Sequence, residues 1–329
     1  MKRAFARRAA LCAAYTMLGL ALAPYSAPAQ DYPTKPIRIV VIAAAGGPAD
    51  LLARTFAEKL NERTKQQSAI VENKAGAGGA IAAEYVAKSP ADGYTLLLGI
   101  HSTQSIHHHL NPKIAYNPET DFAPIVHLAT VPNILFVPAG SPARSVQELV
   151  ALAKAKPGTL SFASQGPGAT GHLVGELFRL ASGTDLIHVP YRGAAPALQD
   201  LIAGNVTMMF DTAFALSHVR EGRLRALAVA SAERMDVAPD VPTMAEVGLP
   251  EVQGGAWFAL LAPAKTPPAV IVYLNRHANE IFALPDVRQR FLPQGVSLPL
   301  GTPGQLQALI DADSKRWGEV IRKANIKIE

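Results

Sequence analysis

The run Leu160-Ser161-Phe162-Ala163-Ser164-Gln165-Gly166-Pro167-Gly168-Ala169-Thr170-Gly171-His172-Leu173-Val174-Gly175-Glu176 decides how the rest of the chain is read. Its short apolar opening predicts a strand, and its glycines predict a turn. Leu173, Leu177, Phe178 and Ala181 then fall on one face at helical spacing. A strand therefore feeds a loop of backbone amides and the start of a helix. Free N–H groups there, with the helix dipole, favour an anion by roughly 0.3–1 kcal/mol, and by about 2 when partly buried. Thr170 is placed to cap the helix or to offer its hydroxyl to a ligand. Gly166, Gly168 and Gly171 also spell G-x-G-x-x-G, which is weak evidence alone. A plain tight turn, a phosphate cradle and a carboxylate cradle all remain open from this stretch.

Outward from it, strands and helices alternate. On the N-terminal side, strands are expected over 37–43, 68–71 and 94–98. Helices are expected over 51–63, where Leu52, Phe56 and Leu60 share a face, and over 80–88. Glycine-rich loops at 44–50 and 75–79 separate them. This βαβαβ pattern predicts a parallel sheet. Residues 99–130 read as a histidine-rich helix and an irregular connection broken by Pro112, Pro118 and Pro124. From 133 onward a second α/β set follows. Strands are expected over 133–138, 186–189, 206–210 and 224–230, and helices over 146–155 and 195–203. A strand at 257–261 and helices at 268–282, 285–292 and 305–323 return to the first set. The expected division is a signal peptide at 1–29, one lobe from 30–130 plus 257–329, and a second from 131–256. Two lobes joined by two crossings leave a cleft between them, where ligands commonly sit.

Composition narrows the function classes. The chain has 329 residues, 49% of them hydrophobic and 17% charged, which is a globular balance. Lys2, Arg3, Arg7 and Arg8 precede an apolar run from Ala9 to Ala23, and Ala27-Pro28-Ala29 supplies small residues for cleavage after Ala29. Periplasmic export of a water-soluble chain is expected, with Arg7-Arg8 leaving open which export pathway is used. Beyond residue 29 the basic residues number 27 and the acidic ones 26. That balance argues against nucleic acid as a partner. Cys12, inside the expected signal, is the only cysteine, so disulfides, thiol nucleophiles and cysteine metal sites are excluded. His107, His108 and His109 point in different directions on a helix, and no acidic or cysteine set completes a metal site, so packing is expected of them. No cofactor is expected.

Several separated motifs resemble the Bug family, the periplasmic substrate-binding receptors of tripartite tricarboxylate transporters. They are Ile70-Val71-Glu72-Asn73-Lys74-Ala75-Gly76-Ala77-Gly78-Gly79, Asp92-Gly93-Tyr94-Thr95-Leu96-Leu97, and Asp121-Phe122-Ala123-Pro124-Ile125. The opening stretch, His188-Val189-Pro190-Tyr191-Arg192-Gly193, Leu224-Arg225-Ala226-Leu227-Ala228-Val229 and Pro239-Asp240-Val241-Pro242-Thr243 follow in order. The likeness spans nearly all of 32–329. It implies a two-lobed Venus-flytrap fold of the type II periplasmic-binding class, α/β throughout. It also implies a non-enzymatic, monomeric receptor that passes a small organic carboxylate to integral-membrane transporter subunits. By resemblance, two facing loops grip one carboxylate: Ala45-Gly46-Gly47 with Asp50 beyond, and Gly166, Gly168, Ala169 and Thr170. Ser102, Thr103 and Asp211 are further pocket positions implied. This chain departs from the family in having Ile42-Ala43-Ala44-Ala45 where proline and phenylalanine are usual, which implies a smaller lip. Ala169 replaces a usual serine.

Ser164, Arg192 and Gly193 complete the candidate ligand-binding set, Arg192 as a charge partner for a second carboxylate. Asp50 is expected to cap the helix after it, paired with Arg54 at i, i+4. Asp211 is open between accepting from a ligand amino or hydroxyl group and capping a helix. His172 is expected to support its loop. Two rival functions are weaker, and a third is not separable by sequence. A nucleotide-dependent enzyme needs an acid near the end of the next strand, whereas Asp185 precedes it. A hydrolase using Ser164, His172 and Asp211 lacks a G-x-S-x-G elbow. A receptor acting on a sensor kinase shares every motif with a transport receptor.

Overall fold

The structure is a computed structural model that describes residues 32–65, 67–111, 113–191 and 193–326. The expected signal peptide, Cys12 and Arg192 lie outside the described residues. Lys35–Glu329 forms one compact unit.

Its first sheet begins with β1 (Ile37–Val41), α1 (Pro48–Thr64), β2 (Ala69–Asn73), α2 (Ala80–Ala87) and β3 (Thr95–Ile100). β1 lies in the middle and pairs in parallel with β2 and β3. Ile37, Ile39, Val40 and Val41 are fully buried, as expected where helices cover both faces of a parallel sheet. Leu52, Phe56 and Leu60 bury the inner stripe of α1.

The βαβαβ strands pair in parallel as expected, and two further strands complete this sheet with antiparallel pairing. β4 (Phe122–Pro132) and β10 (Gly255–Pro263) run antiparallel, in the order β2-β1-β3-β10-β4. Much of the connection expected to be irregular is therefore an eleven-residue strand. The prolines that concealed it are tolerated because β4 is an edge strand with no outer neighbour needing its N–H groups. The ladder slips one residue beside Pro124, which sits opposite Leu261.

The second sheet is built from β5 (Ile134–Pro138), α4 (Val146–Ala155), β6 (Leu160–Ser164), α5 (Thr170–Ser182) and β7 (Leu186–Pro190). Then come α6 (Ala194–Ala203), β8 (Met208–Asp211), α7 (Leu216–Arg220) and β9 (Leu224–Val229). Its order is β7-β6-β8-β5-β9, with β5 antiparallel to both neighbours. Phe162, Phe210 and Leu135 pack on one face of it, and Ala163, Met209 and Phe136 on the other. That alternation is the period-2 pattern of strands.

Asn133 alone separates β4 from β5. Its N–H donates to Gly254 O at 3.0 Å, and its C=O accepts from Ala230 N at 2.7 Å. The outgoing and returning crossings are thus laced at one residue. The chain ends with α8 (Pro268–Phe282), α9 (Pro285–Phe291) and α10 (Pro303–Ala324). A Thr302–Gln305 capping box starts α10. Further along, Trp317, Val320 and Ile321 of α10 join the cluster of Phe162, Leu173 and Phe178. The last helix therefore packs into the core of the second sheet as well.

Candidate functional site

The strand–loop–helix read from 160–176 is present as β6, a tight loop and α5. Four local bonds shape the loop. Ala169 N donates to Gly166 O, Gly168 N donates to His172 Nδ1 at 3.0 Å, and the Ser164 hydroxyl bonds His188 Nε2 at 2.7 Å and Gly166 N at 3.2 Å. His172 and His188 stack with centroids 3.8 Å apart. Burial pushes the His172 ring down to about 3, so it stays neutral and keeps Nδ1 free to accept. His172 and Ser164 thus hold the loop's shape.

The first residues of α5 are left with free donors. Ala169 is the N-cap and supplies no side-chain bond. Thr170, Gly171 and His172 N–H have no acceptor among the described residues, while Leu173 N is the first to close a helical bond, to Ala169 O. Thr170 is not the cap expected of it. Its hydroxyl instead shares a hydrogen bond with His101 Nε2 at 2.5 Å, across to the end of β3.

These groups open on a cavity of about 410 Å³ between the two sheets. From the first sheet's side it is lined by Gly78, Ile100, His101, Ser102 and His107, and from the second by Gln165, Pro167, Gly168, Ala169, Thr170, Asp211 and Thr212. Asn133 and Ala256, from the crossings, close it. Burial pushes His101 down to about 4, with Asp313 opposing only in part, and lowers His107 too. Both rings are neutral near pH 7. No charged cation stands among the described lining residues, so backbone amides are the donors available to an anion.

Asp211 is 6% exposed. Its Oδ1 accepts from Gln165 Nε2 at 3.1 Å and from Thr212 N at 2.8 Å, while Oδ2 has no partner among the described residues. Burial raises its carboxyl above the ordinary range, against the pull of those two donors. Gly171 brings the start of α5 against the backbone carbonyl of Phe210, one residue before Asp211. A β-carbon there would sit 2.5 Å from Phe210 O and 2.5 Å from Gln165 Oε1, a gap that only glycine fits.

The remaining sequence candidates fall elsewhere. Ala45 and Gly46 are exposed, Gly47 is half-buried, and none of them lines the cavity. Asp50 does not cap α1 in the manner expected. It reaches back, with Oδ2 accepting from Gly46 N and Arg54 Nε at 2.9 Å and Oδ1 accepting from Asn73 Nδ2 at 2.9 Å. Burial works against its charge, but Arg54, Gly46 and Asn73 outweigh it and hold the carboxyl at about 2. Its i, i+4 pairing with Arg54 is as expected. Thr103 is fully buried and donates to Ile100 O at 2.9 Å. It belongs to a π-helical turn, Ser102–Ile106, that leads into the short helix α3 (His107–Leu110). Gly193 bonds Gln165 O at 3.2 Å and stays outside the lining, as do Gly166 and Ser164. His108 and His109 both bond Ser314 of α10 at 3.0 Å.

Sequence reasoning missed His101, Gln165 and Asn133. Gln165 stood inside the decisive run without a motif to mark it. His101 precedes the candidate Ser102, but nothing in its spacing announces burial against Trp257, whose ring it meets edge-on at 6.5 Å.

Comparison with known proteins supports the same reading. Residues 52–326 match the model of the tripartite tricarboxylate transporter family receptor, TctC. The chain is 39% identical over 314 residues to protein BugT of Bordetella pertussis, covering 94% of this chain and 96% of BugT. Among solved structures it is similar to R. palustris Rpa4515 with adipate, at 35% identity and a TM-score of 0.78, over 90% and 99% of the two chains. It is also similar to MatC from Rhodopseudomonas palustris with bound malate, at 34% identity and a TM-score of 0.74, over 88% and 100%. The α/β architecture is that of the two-lobed periplasmic binding proteins, and the chain belongs to the tripartite tricarboxylate transporter receptor family, which includes the Bug proteins.

Proposed function

We propose that this protein is a periplasmic solute receptor that captures a small organic carboxylate between its lobes and delivers it, unaltered, to a tripartite tricarboxylate-type membrane transporter. The observation that carries this reading is the row of free Thr170, Gly171 and His172 amides beside a cavity with no cationic side chain in its described lining. Such a site favours one acid group without needing a lysine or arginine. The adipate and malate held by the two similar structures supply the ligand class. We retain the lobe division of 30–130 with 257–329 against 131–256, and the signal peptide at 1–29, within the same reading. Ala45, Gly46 and Gly47 form the opposing lip, braced by Asp50 through the Gly46 amide. Ser102, Gly168, Ala169, Thr170 and Asp211 line the ligand, and Ser164, Gly166 and Gly193 shape the second lip. Closure of the lobes on the ligand then signals occupancy to the membrane subunits.

A thermal-shift screen of C3–C8 organic acids tests this. A ligand present at about 100 times its dissociation constant adds roughly 2.7 kcal/mol to the folded state. A shift with at least one acid, and recovery of that acid chemically unchanged, is the expected result. No shift across the panel, or turnover of an acid, refutes the reading.

A further inference from the structure

We propose that Asp211 selects acids that carry a hydroxyl or ammonium group on the carbon next to the bound carboxylate. The inference rests on the receptor reading and names the ligand's substitution pattern.

Asp211 is nine-tenths buried, lines the cavity, and keeps Oδ2 without a partner among the described residues. Oδ2 itself is not fully buried, so a donor on a ligand in the cavity can reach it. No described lining side chain is cationic; outside the lining, the charge of His218 favours the ionised Asp211 carboxyl. A donor on the ligand can therefore complete Asp211. Its position follows from packing. Gly171 lies against Phe210 O, one residue before Asp211, and Gln165 ties Asp211 to the loop that leads into α5. The anion-binding amides and the acceptor are thus adjacent, so acid and donor must be adjacent on the ligand too. A second carboxylate at that point would meet an acid group and be repelled, or would require a proton.

Matched pairs of acids separate the possibilities. Succinate, malate and aspartate form one series, and adipate and 2-aminoadipate another, each measured by isothermal titration calorimetry. Malate and aspartate arms distinguish a hydroxyl donor from an ammonium donor. At least a tenfold preference for a substituted acid over its plain counterpart is expected. Asp211→Asn should collapse that preference toward one, while circular dichroism shows an intact fold. Equal binding of plain and substituted acids by the wild type overturns the proposal and leaves the receptor reading standing, as does a preference that survives Asp211→Asn. Absence of binding by every acid in both series overturns the proposal, and the wider acid panel then decides the receptor reading. The wild-type series decides the matter even where the variant folds poorly.

Discussion

Gly171→Ala puts one methyl group where the site is tightest. The added carbon would lie 2.5 Å from both Phe210 O and Gln165 Oε1, whereas ordinary contact begins at 3.4 Å, so about 0.9 Å must open. Gln165 can rotate away only by giving up its bonds to Phe210 O at 3.3 Å and Asp211 Oδ1 at 3.1 Å. Phe210 cannot retreat, because β8 is paired with β5 and β6 on its two sides. The start of α5 must move instead. Overpacking of this kind costs about 1–3 kcal/mol. Displacing the amide row should weaken carboxylate binding as well. A loss of 1.4 kcal/mol there corresponds to about tenfold in the dissociation constant. Urea unfolding followed by circular dichroism measures the first effect. Calorimetry with the acid that gives the largest thermal shift measures the second. A variant with wild-type midpoint and wild-type affinity would refute the claim that this close approach positions the site.

The remaining predictions concern charge and burial. Asp50→Ala should destabilise the chain by about 1–2 kcal/mol at pH 7, a figure discounted because Arg54 is half exposed. Since the Asp50 carboxyl is held at about 2, below its ordinary 3.8, its contribution is complete above roughly pH 4 and is lost as pH falls through 2. The gap between wild type and variant in urea midpoint should therefore narrow from pH 5 to pH 2, and a constant gap would count against the ion pair. His101 and His172 are held neutral, at about 4 and about 3, so each opposes folding once the unfolded ring protonates below 6.5. Stability should be full above that pH and fall by up to roughly 1.4 kcal/mol per pH unit for each ring down to about pH 4, as read from urea midpoints across pH 7 to 4.5. Trp257→Phe leaves Asp313 Oδ2 without its indole donor at 2.7 Å, and should cost about 1–3 kcal/mol; an unchanged midpoint would show that bond to be idle.

Much of the fold was legible because local periodicity and glycine placement speak through short-range physics. Leu52, Phe56 and Leu60 recur at helical spacing, and α1 buries them. The glycine-rich turn after 160–164 foretold a helix start with free amides, and those amides are present. The family likeness could be read for the same reason: its motifs are turns and strand ends, whose residues are dictated by backbone shape. Legibility failed where the deciding partner is distant in sequence. The prolines of β4 read as a broken connection, since nothing near them reveals that the strand is an edge paired with β10, more than a hundred residues on. Asp50 read as a forward cap, because its real donors include Asn73 from another strand.

By itself, then, the order of residues determined the alternation of strands and helices, the two-lobed class and the loop that offers amides to an anion. Only the tertiary structure decided which side chains surround that loop. Thr170 turns to His101 across 69 positions, Gln165 braces Asp211 across 46, and Asn133 laces both crossings. Burial, which lowers the His101 pKa and raises that of Asp211, is a property of the assembled neighbours and not of either residue. A cavity's electrostatics therefore emerge only when the two sheets come together.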